Sequence, residues 1–94
     1  MPVVIEKKNG DVTFIFKGYP DAKQVYLAGD FNDWSPKKKR MSKYRDGTFR
    51  AKVSLGPGAY QYKFIADGVW MIDPEAQAQV PDPFGGANSQ VRIP

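Results

Sequence analysis

Two tryptophans set inside turns are the residues of this chain whose type and spacing could do chemistry. Trp34 ends the run Gly29-Asp30-Phe31-Asn32-Asp33-Trp34, and Trp70 ends Asp67-Gly68-Val69-Trp70. Turn formers surround both, and a large aromatic placed there either packs back onto the body or offers a flat apolar face to a ligand. Phe31 suits the first role. A pyranose has an apolar C–H face that lies on an indole, and its hydroxyls suit amide and ammonium donors. Burying about 100 Å² against each of two rings is worth roughly 5 kcal/mol together at about 25 cal/mol/Å². A few hydrogen bonds add about 1 kcal/mol each, and association costs at least ~4 kcal/mol. The balance predicts weak binding, on the order of 10 µM to 1 mM.

Other chemistry has little material. The chain contains neither histidine nor cysteine, which removes the usual general base, the thiol nucleophile and the common zinc ligands. The glycines form no phosphate cradle. Carboxylates remain, but a glycosidase needs two, one of them kept protonated by an apolar pocket. Asp30, Asp33, Asp67 and Asp73 all sit in turns, where they cap backbone. No catalytic residue, metal site or cofactor is therefore expected, and the chain does not read as an enzyme.

The net charge of +4 is local. Lys37, Lys38, Lys39, Arg40, Lys43 and Arg45 are followed and preceded by a body that sums to −2. The rival reading of aromatics beside a basic run is nucleic-acid binding. Here the run is contiguous and not interleaved with aromatics on one strand, so it reads as a solvated loop. No stretch has transmembrane length or signal-peptide character, and the absence of cysteine suits the cytoplasm. Neither nucleic acid nor membrane is an expected partner.

The elements that must position the tryptophans are short strands. A first strand around Val3–Ile5 turns at Asn9-Gly10 into Asp11 to Lys17, where Val12, Phe14 and Phe16 share one face. Gln24 to Asp30 follows, then a proline-marked basic loop, an Asp46-Gly47 hairpin turn and a strand carrying Phe49, Ala51 and Val53 on one side. From Ala59 to Asp67, Tyr60, Tyr62, Phe64 and Ala66 face one way while Gln61, Lys63 and Ile65 face the other. Lys63 is thereby turned toward solvent. Asp67-Gly68 leads into Val69–Ile72 as a second hairpin. A long segment follows in which Glu75 to Gln79 could form one helical turn, before a last strand Ser89–Ile93. This spacing predicts a single all-β domain over residues 1–94, an immunoglobulin-like antiparallel β-sandwich, with a small closed barrel as the alternative.

The runs Tyr26-Leu27-Ala28-Gly29-Asp30-Phe31-Asn32-Asp33-Trp34, Asp46-Gly47-Thr48-Phe49, Gly58-Ala59-Tyr60-Gln61-Tyr62-Lys63-Phe64, Asp67-Gly68-Val69-Trp70 and Asp73-Pro74 resemble the glycogen-binding domain of AMP-activated protein kinase β subunits. More broadly they resemble the family-48 starch-binding modules, the early-set N-terminal domains of isoamylases. The resemblance extends from about Val12 to Ile93. It implies a sandwich that binds α-1,4-glucan without catalysis, with Trp34 and Trp70 stacking on glucose rings and Lys63 and Asn88 bonding to sugar hydroxyls. Phe84 stands where the family carries a leucine that projects into the glucan, and Gly86 stands where it carries a threonine. The resemblance also implies an alternative: early-set domains often pack on a catalytic domain, so the aromatic surface could dock on an α-amylase-superfamily or other glycogen- or starch-metabolising enzyme, or on a kinase-like partner.

Overall fold

A computed structural model describes the backbone of residues 3–6 and the backbone and side chains of residues 11–94. The turn expected at Asn9-Gly10 lies outside the described residues. Two antiparallel sheets face each other. The first holds β1 (Val3–Glu6), β2 (Asp11–Phe16), β5 (Phe49–Ser54) and β4 (Ser42–Lys43), in the order β1-β2-β5-β4. The second holds β3 (Val25–Gly29), β6 (Gly58–Ala66), β9 (Ala87–Ile93) and β8 (Ala78–Pro81), in the order β3-β6-β9-β8, with β7 (Val69–Met71) also paired to β6. The architecture is the antiparallel sandwich that the alternation predicts.

Alternation explains which side chains meet between the sheets. Val12, Phe14 and Phe16 from β2 and Phe49 and Ala51 from β5 are buried against Val25 and Leu27 of β3, Tyr62, Phe64 and Ala66 of β6, and Val91 and Ile93 of β9. The rings interlock: Phe14 meets Tyr62 edge-on at 4.8 Å, and Phe16 lies 5.0 Å from Phe64. Aromatic pairs of this kind add about 0.5–1.5 kcal/mol beyond area burial. Register then fixes the outer face of the second sheet. Gln61, Lys63 and Ile65 of β6 point outward, with Ala28 opposite Lys63, Tyr26 opposite Ile65, and Trp70 opposite Ile65 on the other side.

Two strands have no counterpart in the sequence reading. β8 occupies part of the segment expected to be irregular, and the helical turn considered for Glu75 to Gln79 does not form. A tight turn takes its start instead: Ala76 N donates to Asp73 O at 3.2 Å, and the Asp73 carboxylate accepts Glu75 N at 2.9 Å. β8 has no apolar alternation to announce it, and as an edge strand it tolerates Pro81. β4 is only two residues long. β9 begins at Ala87, two residues earlier than expected. The end of the basic run is also less free than a solvated loop. Lys39 O accepts Leu27 N at 2.9 Å, and Met41 N donates to Val25 O at 2.8 Å, so this stretch runs along the edge of β3.

Candidate functional site

The turn after β3 is built to hold Trp34 in place. At Gly29 a Cβ would lie 2.6 Å from Gln61 O and 2.7 Å from the Phe31 ring, so only glycine permits this approach. Phe31 folds inward, 5.5 Å from Phe14. Asn32 closes the turn from within: its Oδ1 accepts Gly29 N at 3.0 Å and its Nδ2 donates to Leu27 O at 2.9 Å. Asp33 and Trp34 then take left-handed conformations, with φ of 55° and 57°. Such conformations cost of order 1–3 kcal/mol each for residues with a Cβ and persist only where neighbours over-determine them. Here Trp34 N donates to Gly29 O at 3.0 Å, and the indole Nε1–H donates to Asp30 Oδ1 at 3.3 Å. The other oxygen of Asp30 accepts Gln61 N at 2.9 Å, where β6 runs beyond its pairing with β3.

Trp70 arrives by a different route. Asp67 and Gly68 adopt positive φ (48° and 85°), as a tight two-residue hairpin requires. The Asp67 carboxylate accepts Lys23 N and Gln24 N, anchoring the hairpin to the entry of β3. Trp70 is left on the outer face, 46% exposed.

The third wall is the β8–β9 connection, and Asp82 organises it. Asp82 Oδ1 accepts Phe84 N at 2.8 Å and Gly86 N at 2.9 Å, while Asp82 N donates to Gly86 O at 3.0 Å. Asp82 Oδ2 meets Lys63 Nζ at 3.2 Å, across from β6. The backbone N–H groups of Gly86 and Phe84, and then the Lys63 ammonium, hold the Asp82 carboxyl below its ordinary pKa. A Cβ on Gly86 would lie 2.8 Å from Asp82 Oδ2. Gly86 is therefore the counterpart of Asp82. This tight loop lifts Phe84 almost wholly into solvent, 94% exposed.

These pieces surround one open cavity of about 580 Å³. Trp34, Lys63, Trp70, Phe84 and Asn88 all line it, drawn from a turn, three strands and a hairpin tip. Asp30, Gln61 and Pro83 complete the lining. Asn88 is buried at its rim and donates through Nδ2 to Gln61 Oε1 at 2.9 Å. Gln61 was legible from strand alternation, since it shares a face with Lys63. Asp82 carried only the weaker signal of an Asp-Pro turn. Lys63 points outward as alternation requires, yet its ammonium is already engaged by Asp82, leaving the remainder of its three donors for a ligand. Among the described residues no three acidic side chains converge to hold a cation. The cavity offers flat apolar rings beside planar amides and a cation, which is the chemistry of stacking and hydroxyl recognition.

A β-sandwich with such a site on one sheet face has the form of a carbohydrate-recognition module. The chain belongs to the family described as the glycogen recognition site of AMP-activated protein kinase, which it matches over residues 11–94. It is similar to Protein PTST homolog 2 of Arabidopsis thaliana, 45% identical over 56% of this chain and 10% of that protein. A 1,4-α-glucan branching enzyme of Lactobacillus acidophilus is 44% identical over 80% of this chain and 12% of the enzyme. The 5'-AMP-activated protein kinase subunit β-1 of Sus scrofa is 34% identical over 84% of this chain and 62% of that protein. The chain thus spans about a tenth of the first two and under two thirds of the third.

Proposed function

We propose that this chain is a single non-catalytic module that binds α-1,4-glucan, as glycogen, starch or maltodextrin. Trp34 and Trp70 are the stacking platforms, Lys63 and Asn88 the polar clamps, and Phe84 an apolar contact at the rim. The observation that carries this reading is the meeting of these five side chains at one cavity although they lie up to 54 positions apart in the chain. Membership of a glycogen-recognition family supports it. A cytoplasmic location belongs to the same proposal, although the PTST homolog is named as chloroplastic. Trp70→Ala tests the site. Retention on glycogen or β-cyclodextrin in affinity electrophoresis should be lost while the thermal transition stays, and undiminished retention would refute the assignment.

The exposure of Phe84 favours a second reading, in which the same apolar surface docks on a glycogen- or starch-metabolising enzyme. Titration with maltoheptaose separates the two. A change in tryptophan fluorescence supports glucan binding, and none, in a folded chain, supports docking.

A further inference from the structure

Trp70 borders two depressions. The second, of about 300 Å³, shares Trp70 with the main cavity and is lined also by Gln24, Tyr26, Pro36, Lys37 and Ile65. That volume is at the lower end of small-molecule sites, about 300–1,000 Å³. We propose that this depression is a second sugar subsite, taking further glucose units of a glucan already seated on Trp34 and Trp70. The inference rests on the glucan reading above.

Register builds the floor. Tyr26, Ile65 and Trp70 form one row across β3, β6 and β7 on the outer face. Ile65 faces outward yet is only 4% exposed, so neighbouring side chains close over it and the accessible apolar faces of the row are those of Tyr26 and Trp70. This row lies two residues along β6 from Lys63, about 7 Å at the usual strand rise. A chain leaving the first cavity over the shared indole therefore meets a second apolar floor on the same sheet face.

The rim supplies donors suited to hydroxyls. The Asp67 carboxylate is occupied by Lys23 N and Gln24 N. By contrast, the side chains of Gln24 and Lys37 make no hydrogen bond or ion pair among the described residues, and both are exposed. An amide and an ammonium beside an aromatic row repeat the composition of the first cavity, where Asn88 and Lys63 flank the indoles.

The double variant Gln24→Ala/Lys37→Ala tests this, since both residues are exposed and their loss leaves the core untouched. Isothermal titrations of wild type and variant with maltotriose and maltoheptaose should show unchanged maltotriose affinity and a roughly five- to thirtyfold loss for maltoheptaose, the scale of one to two hydrogen bonds at a sugar. The larger number of registers open to a longer glucan is the same in both proteins, so comparing them isolates the subsite. Equal maltoheptaose affinities would overturn the second subsite while leaving the first intact, and an equal loss for both sugars would overturn it by placing the two residues at the first. If wild type bound neither sugar, the glucan reading itself would fall, and this inference with it.

Discussion

At the scale of single residues, Gly86 shows how this site differs from the family pattern it resembles. A threonine there would add a hydroxyl toward the ligand, and restoring it looks like a gain. The geometry argues otherwise, because a Cβ at this position would lie 2.8 Å from Asp82 Oδ2, an atom already paired with Lys63. Gly86→Thr should therefore push the carboxylate away, cost roughly 1 kcal/mol in the bonds it disturbs, and weaken glucan binding several-fold. Titration calorimetry on glycogen-derived oligosaccharides checks this; tighter binding by the variant would show that the loop yields and the hydroxyl counts. Gly29 is a second position closed to a side chain, since a Cβ there would meet both Gln61 O and the Phe31 ring. The strain at Asp33 and Trp34 is of the same kind, since the bonds from Asn32 and Asp30 hold a conformation the residues themselves disfavour.

At the scale of elements, the β8–β9 hairpin is held by one carboxylate, which gives its conformation a pH dependence of definite sign. The Asp82 pKa is lowered in the folded chain, so the loop contacts are fully present above the ordinary carboxylate pKa and are lost as pH falls through the lowered one. Lys63 is the charged group facing it across the sheet. Glucan affinity should thus hold constant around neutrality and decline on acidification. Asp82→Asn should bind more weakly at neutral pH and lose that acid limb, as fluorescence titrations in a pH series would record; equal affinities of wild type and variant at neutral pH would contradict it. How far this hairpin was legible in the sequence follows from its physics. The strands carrying Phe14, Tyr62 and Phe64 announced themselves by period-two alternation, because one face had to be buried. Outward Lys63 and Gln61 came with them. β8 is an edge strand whose residues are mostly exposed, so no burial pattern marks it. The Lys63–Asp82 pair joins residues 19 apart through a strand that could not be seen, and it was invisible for that reason.

At the scale of the whole molecule, the site's supports are tied through the core. Tyr62 of β6 donates to Asp73 Oδ2 at 2.7 Å, and Asp73 N donates to Ser89 Oγ of β9 at 2.6 Å, all three residues being buried. Burial, reinforced by Asp73, pushes the Tyr62 hydroxyl far above its ordinary pKa, so it stays a donor at any working pH. Tyr62→Phe leaves a buried carboxylate short of a partner and should cost about 1–3 kcal/mol. At roughly 4–8 °C per kcal/mol for a domain of this size, the thermal midpoint should drop visibly in calorimetry. Charge behaves differently from this core, because it is concentrated in one strip while the remainder of the chain sums to −2. Part of that strip, Lys39 and Arg40, lines a depression with Arg50 and Lys52 on the other sheet, away from the tryptophans. Arg50 is not a free cation there, since it pairs with Asp46 at 3.0 Å and lies over the Tyr44 ring at 4.7 Å. A polyanion bound through this strip would release counterions, and its affinity would fall steeply with salt. A neutral glucan on the opposite sheet releases none. Maltoheptaose affinity measured from about 50 to 500 mM salt should therefore change less than twofold, whereas weak single-stranded DNA binding, if detected, should vanish across the same range. A steep salt slope for maltoheptaose would mean that charged residues, and not the indoles and amides of the cavity, carry the recognition.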